Sequence, residues 1–132
     1  MLEGVKYFKY QGYENFISEF FDAIFFFRDK KAIDILKKYC ELKGNAINDF
    51  MSCHFATEFP NKNDEEYFGD KGVVFYLDYP AVDENCAIIL TYDEFLEVVK
   101  TKYQGYTQGN PEKRNEILFL LETLEKRIKL HC

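Results

Sequence analysis

A cysteine beside a histidine is the pairing that thiol nucleophiles use, and Cys53-His54 presents it. The imidazole would take the thiol's proton, leaving a thiolate to attack. That chemistry needs both side chains on one side of the backbone. Around them Met51, Cys53 and Phe55 alternate with Ser52, His54 and Ala56, so Phe50 to Phe59 is read as a strand. Neighbouring residues of a strand point to opposite faces, so the pair cannot form a dyad. His54 is read as structural or interfacial. The other histidine, His131, is penultimate and expected to fray.

Metal chemistry needs several ligands converging on one point. The chain has no H-x-x-x-H, C-x-x-C or calcium-loop spacing. Asp64, Glu65, Glu66 and Asp70 fall in a polar loop and could hold a divalent ion loosely. A solvated or partner-facing acidic loop explains them better. Gly69-Asp70-Lys71-Gly72 reads as turn chemistry, not a phosphate cradle. With only Ser18 and Ser52 available, there is no Gly-x-Ser-x-Gly nucleophile. The expectation is no catalytic residue, no metal and no cofactor.

What remains is acids interleaved with aromatics. Asp64, Glu65, Glu66, Tyr67, Phe68 and Asp70 form one group, and Asp78, Tyr79, Asp83 and Glu84 another. Carboxylates at such places meet Lys and Arg of a partner, speeding encounter and fixing register. Tyr67, Tyr76 and Tyr79 are candidate anchors, because a tyrosine can bury its ring and keep its hydroxyl wet. Acidic residues outnumber basic ones, 23 to 17, for a formal charge of −6. That disfavours direct nucleic-acid binding and an anionic membrane surface, and favours a basic protein partner.

These groups must be held by ordinary elements. Tyr13 to Arg28 reads as a first helix, with Phe16, Ile17, Phe20, Phe21, Ile24 and Phe27 at helical steps. Phe25 and Phe26 widen that stripe, which is either buried on more than one side or offered to a partner. Lys31 to Leu42 reads as a second helix on Ile33, Leu36 and Cys40, with Tyr39 as a further candidate. Lys43-Gly44-Asn45 reads as its stop. Gly72 to Tyr79 is the clearest strand: Val73, Phe75, Leu77 and Tyr79 share one face, Val74, Tyr76 and Asp78 the other. The two acidic groups then flank its ends. Pro80 ends it, and a short connection leads to a strand over Cys86 to Leu90, best paired antiparallel.

Thr91-Tyr92-Asp93-Glu94 has the form of a capping box, opening a third helix that fades by Gly105. Asn110-Pro111 opens a last helix lined by Ile117, Leu120, Leu121, Leu124 and Ile128. Two helices, about three strands and two helices predict an α+β fold with helices on one face of a small antiparallel sheet.

At 132 residues with 47% hydrophobic content, the whole chain is expected to be one domain with a real core. Part of its 14 Phe and 10 Tyr must fill that core. Cys40, Cys53, Cys86 and Cys132 show no paired spacing and read as reduced, mostly buried thiols of a cytoplasmic protein. The N-terminal MLEGVKYFKYQG lacks the apolar run of a signal peptide, and Ala23 to Phe27 is too short to span a bilayer.

The stretch from Glu66 to Leu77, EYFGDKGVVFYL, followed by CAIILTYDEF from Cys86 to Phe95, resembles immunity proteins of bacterial contact-dependent growth inhibition (CDI) systems. The group it is most similar to protects against ribonuclease toxins. There an acidic loop leads into a strand, and a second strand ends in a capped helix start. The resemblance implies a cytoplasmic protein, not an enzyme, that binds the basic C-terminal nuclease domain of a toxin and keeps RNA out. It would act as a monomer or in a 1:1 heterodimer. Two other readings stay open: a small enzyme with dispersed His54 and carboxylate groups, and a generic protein-binding adaptor.

Overall fold

The computed structural model describes residues 2–27 and 29–131. The expected helix end at Arg28 and the reduced state of Cys132 lie outside the described residues. Nine elements follow in order: β1 (Lys6–Lys9), α1 (Glu14–Phe27), α2 (Ala32–Cys40), β2 (Asn45–Asn48), β3 (Met51–Phe55), β4 (Val73–Leu77), β5 (Cys86–Leu90), α3 (Tyr92–Gly109) and α4 (Arg114–Lys129). Single 3-10 turns span Asp29–Lys31, Ala56–Glu58 and Pro111–Lys113.

The fold is α+β, but the sheet is larger than the expected three strands and is mixed. Five strands lie in the order β1-β5-β4-β3-β2. β1 runs parallel to β5, and every other pair is antiparallel. The sequence reading missed β1 and β2 because each is four residues long and mixes polar with apolar side chains. Pairing, not hydrophobic pattern, makes them strands. The segment expected to be strand through Phe59 leaves the sheet at Phe55 and turns over Ala56–Glu58.

The sheet's inner face and all four helices share the main core. Phe75 meets Phe20 edge-to-face at 4.9 Å, and Phe95 packs on both Tyr39 and Phe55. α1 buries Ile17, Phe20, Phe21 and Ile24. Phe16 and Phe27, expected in that stripe, are exposed, as is Phe26. Phe25 is half-buried and stacks on Tyr106. α2 buries Ala32, Ile35, Leu36 and Tyr39, whereas the expected Ile33 and Cys40 are only half-buried. The face is rotated because Tyr39, the largest side chain, takes the centre: its hydroxyl donates to Asn45 Oδ1 at 2.6 Å in the core.

The end of α2 also differs from the glycine stop. Leu42 takes the left-handed conformation, with φ 57°, and the Lys43 amide returns to the Lys38 carbonyl. Gly44 lies beyond, packed against the backbone of β3. α3 does not fade at Gly105 but continues to Gly109. A mid-helix glycine costs about 1 kcal/mol relative to alanine. Two buried tyrosines hold the turn around it: the Tyr103 hydroxyl donates to the Ala32 carbonyl at 2.7 Å, and the Tyr106 hydroxyl to Asp29 Oδ1 at 2.5 Å. Asn110 does not cap the helix after it; its Nδ2 donates to the Tyr106 carbonyl, closing α3, and Pro111 opens a 3-10 turn instead.

The other elements match expectation, except that β4 ends at Leu77, before the expected Tyr79, because the chain turns over Asp78 and Tyr79 into the loop held by the Asp78 and Tyr79 amides. The capping box is formed, with the Glu94 amide on Thr91 Oγ1 at 3.1 Å and the Thr91 amide on Glu94 Oε1 at 2.9 Å. β4 and β5 are antiparallel. Ile117, Leu120, Leu121, Leu124 and Ile128 are the buried face of α4.

Candidate interaction surface

The outer face of the sheet, away from the helices, is ordered in cross-strand rows. One row runs Tyr7, Ala87, Tyr76, Ser52, Ala46 from β1 to β2. The next runs Lys9, Ile89, Val74, His54. The Ala87 methyl is small, so the tyrosines on either side of it can lean together. Val74, Tyr76 and Ala87 form a second, smaller core, roofed by Leu2, Val5 and Phe68. Leu2 and Val5 belong to the segment before β1, and Phe68 to the loop between the Ala56–Glu58 turn and β4.

That loop carries the first acidic group. Its two ends are tied where the Ala56 amide meets the Gly72 carbonyl at 2.9 Å. Its middle is built from tight turns: Asn61 Oδ1 accepts from the Asn63 amide and Asp64 Oδ1 from the Glu66 amide, each at 2.9 Å. The Tyr67 hydroxyl donates to Asp70 at 2.8 Å. Asp64, Glu65 and Asp70 are exposed, and Glu66 and Tyr67 half-buried. The loop folds back over the sheet. Burial first, then the Tyr7 hydroxyl and the charges of Glu66 and Asp64, push the Tyr76 phenol far above its usual range. Although this acidic group leaves β4 at the Gly72 end, its negative field therefore reaches Tyr76, near the other end. Tyr76 itself is 7% exposed and forms the floor under the loop.

The second acidic group follows β4. Asp78 is half-buried, and its amide donates to the Phe50 carbonyl at 2.8 Å, binding this loop to the β2–β3 hairpin. Tyr79 is exposed, and its amide is held by Asn85 Oδ1 at 2.8 Å. Asp83 and Glu84 are exposed on the β1 side. They line a groove of about 680 Å³ with Lys6, Phe8, Tyr13 and Phe16. Glu84 pairs with Lys6 at 2.7 Å, which lowers the carboxyl and raises the ammonium group. The structure thus packs the loop that carries Asp64 and Glu66 onto Tyr76 through Phe68, ties Asp78 to the hairpin, and pairs Glu84 with Lys6 on the β1 side.

Cys53 and His54 lie on opposite faces, as their adjacency in a strand requires. Cys53 is buried in the main core, and burial pushes its thiol up to about 12, so it is not a nucleophile at neutral pH. His54 is half-buried on the outer face, against the rings of Phe59 and Tyr76. Its Nδ1 is 3.6 Å from Glu58 Oε1. Glu58 also accepts the Phe55 amide at 2.6 Å and the Gly44 amide at 3.1 Å. Its burial acts to raise the carboxyl, but His54 and these two amides together hold it below the usual carboxylate range. Among the described residues no group of three or more His, Cys, Asp or Glu is placed to hold a metal ion.

Sequence reasoning missed Tyr7, Ala46, Asp49 and Glu58 as members of this surface. Only the alternation through Met51–Phe55 hinted that Ser52 and His54 share a face. Among the described residues, no helix is long and apolar enough to cross a membrane.

No curated protein and no solved structure matches the chain. A family model does, from residue 13 to residue 121, and it describes the CDI immunity protein. The match runs from just before α1, through both acidic groups and the capping box, into α4. On that match, the chain belongs to the CDI immunity protein family.

Proposed function

We propose that the chain is a cytoplasmic, single-domain immunity protein that binds the C-terminal ribonuclease domain of a CDI effector and blocks its access to RNA. The observation that carries this, beside the family match, is the acidic loop whose Phe68 packs on the outer face of the sheet. A domain that binds RNA needs a basic cleft, and a fixed array of carboxylates complements it. The contact residues are Asp64, Glu65, Glu66, Tyr67 and Asp70 from one loop, and Asp78, Tyr79, Asp83 and Glu84 from the other, with Tyr76 beneath. The complex is 1:1, takes no cofactor, and inhibits by occupation and not by catalysis.

The test is co-expression with the C-terminal domain encoded by the gene immediately upstream. Growth is restored when both are made, and cellular RNA stays intact. Cells that die as fast with this chain as without it overturn the proposal. Rescue from a domain that leaves RNA untouched but cleaves DNA keeps the immunity function and removes the ribonuclease target. A His54→Ala chain that still protects excludes this histidine as a catalytic base, and one that loses all RNA protection while still binding the toxin domain revives the enzyme reading.

A further inference from the structure

The roof over the outer face is incomplete. Leu2, Val5 and Phe68 cover the side chains of β5 and β4, while β3 and β2 continue the same rows without it. Along the row from Tyr7 to Ala46, exposure rises on the β2 side: Tyr76 is buried, Ser52 half-buried and Ala46 exposed. The uncovered part is small-featured, since Ser52 and Ala46 project little. Another chain can approach its backbone closely there.

Carboxylates stand around this open half. Asp49 is at the β2–β3 turn and Asp78 is tied to the same turn through the Phe50 carbonyl. Asp64 and Glu66 belong to the loop whose Phe68 packs over Val74 and Tyr76, and Glu58 lies beside His54 at the far end. The loop from Phe59 to Gly72 holds four carboxylates against two lysines, Lys62 and Lys71. Phe50, exposed at the turn, adds an aromatic edge. A small-featured, partly apolar floor inside an acidic rim is complementary to a segment whose Lys or Arg residues surround small apolar contacts.

We infer that the open β2–β3 half of the outer face is the docking surface for a basic segment of the toxin domain. Ala46 and Ser52 lie at its centre, and Asp49, Asp64, Glu66 and Asp78 at its rim. This rests on the proposed immunity function and adds to its contacts the β2–β3 half of the sheet, beyond the acidic loops themselves.

The experiment measures binding of the upstream gene's C-terminal toxin domain to purified full-length chain, by calorimetry or surface kinetics. The variants are Ala46→Arg, at an exposed site, and Ser52→Arg, each checked for an unchanged far-ultraviolet spectrum and melting point. Phe119→Arg, exposed on α4 in the helix layer, is the control. Ala46→Arg weakens binding at least tenfold, and Phe119→Arg changes it less than twofold. Asp49→Lys, which needs no space in the sheet, weakens it at least threefold and serves if Ser52→Arg fails to fold. If the wild-type chain binds but Ala46→Arg and Asp49→Lys both stay within twofold of it, this surface is wrong and the immunity function stands. If the wild-type chain does not bind, both fall together.

Discussion

Gly44 lies so close to Cys53 that a β-carbon built on the glycine would stand 1.8 Å from the Cys53 carbonyl oxygen. The obstacle is backbone of the neighbouring strand, so no side-chain rotation relieves it. Gly44→Ala must separate β2 from β3 or abandon the local path, and destabilises by about 3 kcal/mol or more. Chemical denaturation checks this: a variant within about 0.5 kcal/mol of wild type would show that the two strands are free to part.

The same corner depends on Glu58. Its carboxylate joins the Phe55 and Gly44 amides to His54. Because its folded value is lowered from 4.5, its stabilisation is complete above that value and is lost as the pH falls through the lower folded one. Glu58→Gln therefore costs about 1–2 kcal/mol at pH 7, and less as the pH falls through the lowered carboxyl value. Melting points of the two proteins across that range converge on acidification. A constant gap would mean that the carboxylate's charge is irrelevant.

How far these features were legible follows from where their information resides. The β4–β5 pair and the capping box were legible because each is local: alternation, a proline stop, and a Thr-x-x-Glu spacing. β1 and β2 were not, because Lys6–Lys9 and Asn45–Asn48 become strands only through partners elsewhere in the chain. Gly44 is a similar case, since its need for glycine comes from Cys53. The acidic residues of the surface were visible as a composition, but their arrangement was not. Only the fold shows that the loop with Asp64 and Glu66 packs back on Tyr76 through Phe68 while Glu84 is engaged by Lys6.

Thr91 gives a milder case. Its hydroxyl accepts the Glu94 amide in an exposed cap, so Thr91→Ala costs about 1 kcal/mol, and Thr91→Ser far less. Thermal melts of both variants decide it; equal losses would assign the effect to the lost methyl and not to the cap.

Cys53 is buried on the inner face, with its thiol raised to about 12. In the folded protein at pH 8 it resists alkylation by iodoacetamide for hours, and reacts once denaturant is added. Site-resolved mass spectrometry reads this directly. Rapid native labelling of Cys53 would contradict its burial.

Reversal of Asp64, Glu65 and Glu66 to Lys tests the electrostatic contribution of the loop. Association with the toxin domain slows about tenfold at low ionic strength and loses much of its salt dependence, while dissociation changes less. Unchanged association kinetics would take this loop out of the encounter.

The parallel pairing of β1 with β5 has a consequence for synthesis. Lys6 pairs with Cys86, so β1 must wait for a partner made about 80 residues later. At about 5–20 residues per second that delay is about 4–16 s. Until then Tyr7 and Val5 have no sheet to join, and the outer core around Ala87 has no lid. The nascent chain therefore completes this face only after β5 emerges.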